Sequence, residues 1–174
     1  MSEIVSSIME CDSKYHNFND IWTIWAHLPH DTDWSIKSYK KIVDINCVES
    51  VLELENIIPD VMIQNCMIFC MRKNIIPTWE DENNRKGGSF SFKINNNNIF
   101  HIWKEVLIKL TSEMLINDEL VNKNINGITV SPKKNFCIMK IWMRDISIQD
   151  INKFNLPEEI DSKATLFKRH VPED

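Results

Sequence analysis

Trp34 and Trp79 stand in polar surroundings: His30-Asp31-Thr32-Asp33 precedes the first, and Glu80-Asp81-Glu82 follows the second. No core periodicity asks for an indole at either place. Each ring either pins its loop to the core or offers a face to a ligand. Two parallel indoles can sandwich a flat ring, and a cationic ring gains more because each indole face is electron-rich. Glu80 adjoins Trp79, and a carboxylate at the ring edge can accept two N–H bonds from the Watson–Crick edge of a guanine. Lys133, Lys134 and Lys140 can then take a trailing phosphate chain. Together these parts describe a receptor for a guanine nucleotide made positive by 7-methylation.

The chain that must position them has 174 residues, the size of one ordinary domain. With 43% hydrophobic and 26% charged residues it can support a core, which excludes wholesale disorder. No run approaches the ~18 apolar residues of a membrane span, and the N-terminus lacks a basic-then-apolar leader, so the expectation is neither a membrane nor a secreted protein. The net charge of −5 argues against a general nucleic-acid coat and for a small local site. Five cysteines without a leader read as reduced thiols of a cytosolic or nuclear protein, here expected in the cytoplasm. Three glycines cannot furnish a Gly-rich phosphate loop. No Ser/His/Asp or Cys/His arrangement can be nominated and the acidic run at 80–82 has no second carboxylate cluster, so neither an enzyme nor a metal or cofactor is expected. His27 and His30, split by Leu28-Pro29, do not read as metal ligands.

A loose N-terminal arm is expected over residues 1–19, followed by a single domain over 20–174. Alternation marks strands at 20–26, 39–46, 65–72, 89–94, 127–131, 136–142 and 164–170. Helical spacing marks 48–58, closed by Pro59, and 99–114, with Ile99, Ile102, Trp103, Val106, Leu107 and Leu110 as one apolar stripe. A third, short amphipathic helix is expected at 147–155. Trp22, Trp25 and Trp103 read as packing residues. The predicted class is α+β, a mostly antiparallel sheet with helices on one face. The Asn- and Ile-heavy usage points to an AT-rich genome, such as that of a large DNA virus or a protist.

Trp79-Glu80-Asp81-Glu82-Asn83-Asn84-Arg85-Lys86-Gly87-Gly88 resembles the W-E-D-x-x-N-x-x-G-G motif of the eukaryotic translation initiation factor 4E family, the mRNA cap-binding proteins. The resemblance runs from His16 to about His170: Trp22-Thr23-Ile24-Trp25 is similar to the family's W-x-x-W, and Ile102-Trp103-Lys104-Glu105 to its F-W-x-E. It implies a curved antiparallel sheet with three helices on the convex back and the 7-methylguanosine cap in the concave face. Carried over residue by residue, Trp34 and Trp79 stack the base, Glu80 accepts the guanine N1 and N2 protons, and Trp142 lies against the N7 methyl. Lys133 stands where the family usually has an arginine, a change that loses the bidentate fork. Ser89 replaces the arginine after the G-G pair and Ile138 the strand lysine, with Lys140 on the same strand face as a substitute.

The family also docks a helical peptide of a scaffold or repressor protein on its convex face. There the resemblance assigns His16, Asn17, Val48, Leu52, Lys104, Glu105 and Ile108. Leu52 stands at the family's helix-one tryptophan and Lys104 at a usual leucine, and the chain ends four residues after His170, short of the family's C-terminal loop. The implied partners are capped mRNA and such a peptide, with no membrane and a monomer in the absence of partner. The implied role is support of translation initiation, and the alternative is a cap-binding repressor that does not recruit the standard scaffold. A cap-cleaving hydrolase is the third class, separable by Mg²⁺-dependent turnover of cap analogue.

Overall fold

Strand β3 (Met67–Arg72) divides the molecule by simple alternation. Its Ile68 and Cys70 enter the main core, whereas Phe69 and Met71 join a smaller cluster on the opposite face. This computed structural model describes residues 14–171, so residues 1–13 of the expected arm lie outside the described residues.

The other strands are β1 (Asn17–His27), β2 (Tyr39–Cys47), β4 (Gly88–Asn95), β5 (Ile125–Pro132), β6 (Phe136–Met143) and β7 (Leu166–Arg169). They form one seven-stranded sheet in the order β2-β1-β3-β5-β6-β4-β7, and every neighbouring pair is antiparallel. The helices are α1 (Val48–Ile57), α2 (Asp60–Asn65), the single turn α3 (Glu82–Arg85), α4 (Ile99–Thr111) and the turn α5 (Glu119–Asn122). Val51 and Leu54 of α1, Ile63 of α2 and the whole apolar stripe of α4 lie in the main core. The longer helices therefore back one face of the curved sheet and leave the other open. The class is α+β, as the sequence predicts.

Two expectations are corrected. Strand β1 begins at Asn17, so residues 17–19 are strand and not arm. Residues 147–155 form no amphipathic helix; only a 3-10 turn, Ile151–Lys153, is present. Asp145 accepts the Ser147 amide at 2.8 Å and Asp150 the Asn152 amide at 3.0 Å. Such local side-chain bonds favour turns over helix, while Ile151 and Phe154 still reach the core. The short α2 supplies a third helix instead, in the run between Pro59 and β3. In β1, Trp22 and Trp25 fall on opposite faces: Trp22 is fully buried in the main core, and Trp25 packs on the smaller cluster. An odd spacing of three requires this in a strand, and a register shift between Ile24 and Trp25 bends the strand there.

Buried Arg72 ties the sheet to its surroundings. It pairs with Asp20, reaches Glu113 at 3.2 Å, donates to the Ile125 and Asn122 carbonyls at 2.8 Å, and lies over the Trp22 ring. Gly87 is needed for close approach, because a β-carbon there would collide with the Met143 carbonyl oxygen of β6. Cys47, Cys66, Cys70 and Cys137 are free and buried. Among the described residues no helix is long and apolar enough to cross a membrane.

Candidate functional site

Trp34 is presented by two consecutive aspartate turns between β1 and β2. The Asp33 amide donates to Asp31 at 2.9 Å, and the Ser35 amide and hydroxyl donate to Asp33 at 2.7 and 2.9 Å. Such bonds replace missing backbone pairing and hold the loop in one shape. The Ser35 amide and then its hydroxyl hold the Asp33 carboxyl below its ordinary range. The indole is 57% exposed, and one face is covered by His27, stacked at 4.2 Å between centroids and 5° between planes. His27 Nε2–H donates to the Asp33 carbonyl at 2.9 Å, and Tyr39 meets the imidazole edge-on at 5.3 Å. Trp34 thus has a rigid backing and an open surface.

Trp79 is 47% exposed and its loop is equally tied down. Asp81 caps α3 by accepting the Asn83 amide at 2.8 Å and takes the Ile76 amide at 2.9 Å. Beneath it Asn84, wholly buried, donates to the Ile76 and Thr78 carbonyls at 3.0 and 2.8 Å and accepts from Asn126 at 2.9 Å. Glu80 is left exposed beside the indole. Burial, and then the Glu80 charge, raise the Tyr39 pKa. Asn84→Ala removes one bond each from the Ile76 and Thr78 carbonyls and from the Asn126 amide, which keep the Thr78 amide, the Asp81 amide and the Asn83 carbonyl as partners, at about 0.5–1.5 kcal/mol for each lost bond. The expected result is a clearly lower Tm together with weaker ligand binding; an unchanged Tm shows that the loop does not depend on this clamp.

Trp142 lies on the same open face in β6, in the cluster with Phe69, Met71 and Ile75. It is only 8% exposed, its Nε1–H donates to Thr129 Oγ1 at 2.7 Å, and His170 leans on it at 4.8 Å. His170 Nδ1–H donates to the Asn84 carbonyl at 2.7 Å, which joins the end of β7 to the Trp79 loop. Burial lowers the His170 pKa, with the Lys140 charge adding to it, so the ring stays neutral near pH 7. Lys133 and Lys134 sit exposed on the β5–β6 turn, and Lys140 is half-buried on the open face. Trp34 and Lys133 line one cleft of about 250 Å³ with His27, Met67 and Ser131, so the first stacking candidate and the first phosphate candidate share a wall. Lys134 is not part of that wall. A larger depression, of about 570 Å³, is lined by Asn19, Arg72, Asn83 and Arg144 and holds none of the expected residues.

Sequence reasoning passed over His27, Tyr39, Asn84 and His170. Alternation in β1 places His27 opposite the core, but its stack depends on a partner seven residues away across a loop. Asn84 lies within the W-E-D motif yet acts through contacts that only the folded loop creates.

On the helical face, Val48 (40% exposed), Leu52 (56%) and Ile108 (41%) form the apolar surface of the expected strip. His16 Nδ1–H donates to Glu49 at 2.7 Å and holds that carboxyl below its usual range, while the Val48 amide bonds the His16 carbonyl at 3.0 Å. Asn17 pairs with Cys47 at the start of β1. Glu105 accepts from Lys109 at 2.6 Å, and Lys104 lies over the Phe100 ring at 6.0 Å.

A curved antiparallel sheet, helices on one face and exposed indoles on the other define an α+β single-sheet protein with one open face. The sequence profile described as eukaryotic initiation factor 4E matches residues 17–168. The chain belongs to the eukaryotic initiation factor 4E family, and as a member of a family of initiation factors it is not an enzyme. It is 27% identical over 162 residues to the eukaryotic translation initiation factor 4E of Eremothecium gossypii, covering 87% of this chain and 75% of that protein. The factor 4E homolog of Acanthamoeba polyphaga mimivirus is 41% identical over a shorter stretch of 61 residues, 35% of this chain and 22% of the relative. Among solved structures, Caenorhabditis elegans eIF4E-3 in complex with the 4E-binding protein Mextli and cap analog superposes with a TM-score of 0.74 at 21% identity, covering 90% of this chain and 93% of that one. Ascaris suum eIF4E-3 with m2,2,7G cap gives 0.68 at 23%, covering 79% and 78%. At these identities the structures establish the fold.

Proposed function

We propose that this chain binds the 7-methylguanosine 5′ cap of mRNA by stacking the base between Trp34 and Trp79. The observation that carries the reading is the pair of half-exposed indoles, each on a loop braced by buried or short hydrogen bonds. Preorganised aromatic faces bind a flat cation without first losing loop entropy. Glu80 takes the guanine N1 and N2 protons, Trp142 lines the N7-methyl side, and Lys133, Lys134 and Lys140 neutralise the phosphates. Family membership and relatives solved with caps bound support the same reading. The described residues, with β1 beginning at Asn17, act as one cap-binding domain, working as a monomer in the cytoplasm.

The convex strip of Val48, Leu52, Ile108 and the His16–Glu49 clasp recruits a helical peptide of a scaffold protein, which supports translation initiation. Leu52 and Lys104 depart from the usual strip and favour a second reading, a cap-binding repressor that does not take the standard scaffold. Retention on cap resin, eluted by cap analogue but not by GTP, tests the cap reading; failure to bind the resin refutes it. Glu80→Ala is expected to lose guanine selectivity, because two donors of the bound base are then left unpaired in a desolvated site. Wild-type selectivity in that variant, measured by competition with other 7-methylated purines, makes Glu80 a loop residue only.

A further inference from the structure

Ser89 is buried at 4% exposure on β4, directly opposite Trp142 of β6 on one side and Lys168 of β7 on the other. Directly opposed residues of an antiparallel pair share a face, with β-carbons about 4.5–5.5 Å apart. Phe90 is buried in the main core and Phe167 packs against it, so their strand neighbours Ser89 and Lys168 belong to the open face. Lys140 opposes Ser91, one step along the same face. Lys133 heads the adjoining turn, and among the described residues no carboxylate pairs with Lys133, Lys140 or Lys168. Burial lowers the Lys140 pKa first, and the charges of Lys168 and then Lys133 lower it further. Lys140 thus has two neighbouring cations and, among the described residues, no carboxylate partner, an arrangement that favours binding of an anionic ligand.

We infer that Lys168 is a phosphate ligand of this site, supplying from β7 the positive charge that Ser89 does not. The inference rests on the cap reading and extends it: the phosphate bridge lies across β6, β4 and β7, held by Lys133, Lys140 and Lys168. Lysine serves here as a point charge, so it recognises the number of phosphates more than their geometry.

Fluorescence titrations of the whole chain with 7-methylguanosine and with its 5′-triphosphate, over a range of salt, test this. Lys168→Ala is expected to bind the triphosphate roughly tenfold more weakly, with a log–log salt slope shallower by about one and with nucleoside affinity unchanged. Lys168→Arg keeps the wild-type triphosphate affinity, and Lys123→Ala, which removes an exposed lysine paired with Glu119, controls for net charge. Triphosphate binding by Lys168→Ala equal to wild type overturns the inference, as does an equal loss for nucleoside and triphosphate. Wild type that holds neither ligand overturns the cap reading itself, a result distinct from both.

Discussion

Alanine in place of Trp79 is expected to weaken binding of 7-methyl-GTP roughly ten- to hundredfold, the equivalent of one ring stack worth about 1–3 kcal/mol. The loop survives the change, because it is held by Asp81 and Asn84 and not by the indole, which is half in solvent. The loss therefore reports the ring alone. Wild-type binding quenches tryptophan emission, since Trp34 and Trp79 are exposed while Trp22 and Trp103 are sealed in the core. In Trp79→Ala both the affinity and the quench amplitude fall. The cationic character of the base is the second half of the argument: GTP, whose ring is neutral, binds far more weakly than its 7-methyl form. Equal affinity for the two nucleotides sinks the sandwich, whatever Trp79→Ala does.

The elements that follow a single period were legible in the sequence. The stripe of α4 and the alternation of β3 translate directly into core faces, because in each the local pattern and the tertiary burial agree. At 147–155 they disagree: Ile151 and Phe154 have helix-like spacing, but Asp145 and Asp150 bond the backbone locally and turn the chain. The exposed indoles were legible because a residue type is out of place, as at Trp34 and Trp79. The candidate site was illegible where the chemistry depends on strand order. Trp142, Ser89 and Lys168 form one row only because β4 lies between β6 and β7, and nothing local to Lys168 distinguishes it from a solvated lysine. His27 is likewise silent in sequence, since a buried histidine stacked on an exposed indole is a product of the folded loop.

The helical face carries the other large effect. Docking of a helical peptide needs a continuous apolar strip across α1 and α4, and a tryptophan is often the largest single contributor to such a surface. Here the strip is Val48, Leu52 and Ile108, all partly exposed, with Leu52 in place of an indole. Leu52 offers less contact area, and the Lys104 ammonium must be desolvated if an apolar side chain of the partner covers it. The expected result is that a standard scaffold peptide binds at least about tenfold more weakly than to a surface carrying tryptophan and leucine at these positions. A dedicated partner, with an acidic or polar group opposite Lys104, binds tightly. Titration of a labelled standard peptide against wild type and the Leu52→Trp, Lys104→Leu double variant measures the difference. Neither substitution touches the core, because Leu52 points outward and Trp103, the neighbour of Lys104, is already buried. The His16–Glu49 clasp remains in both proteins and keeps the start of α1 in place. Tight wild-type binding that the double variant fails to improve makes the surface a conventional one and removes the ground for the repressor reading.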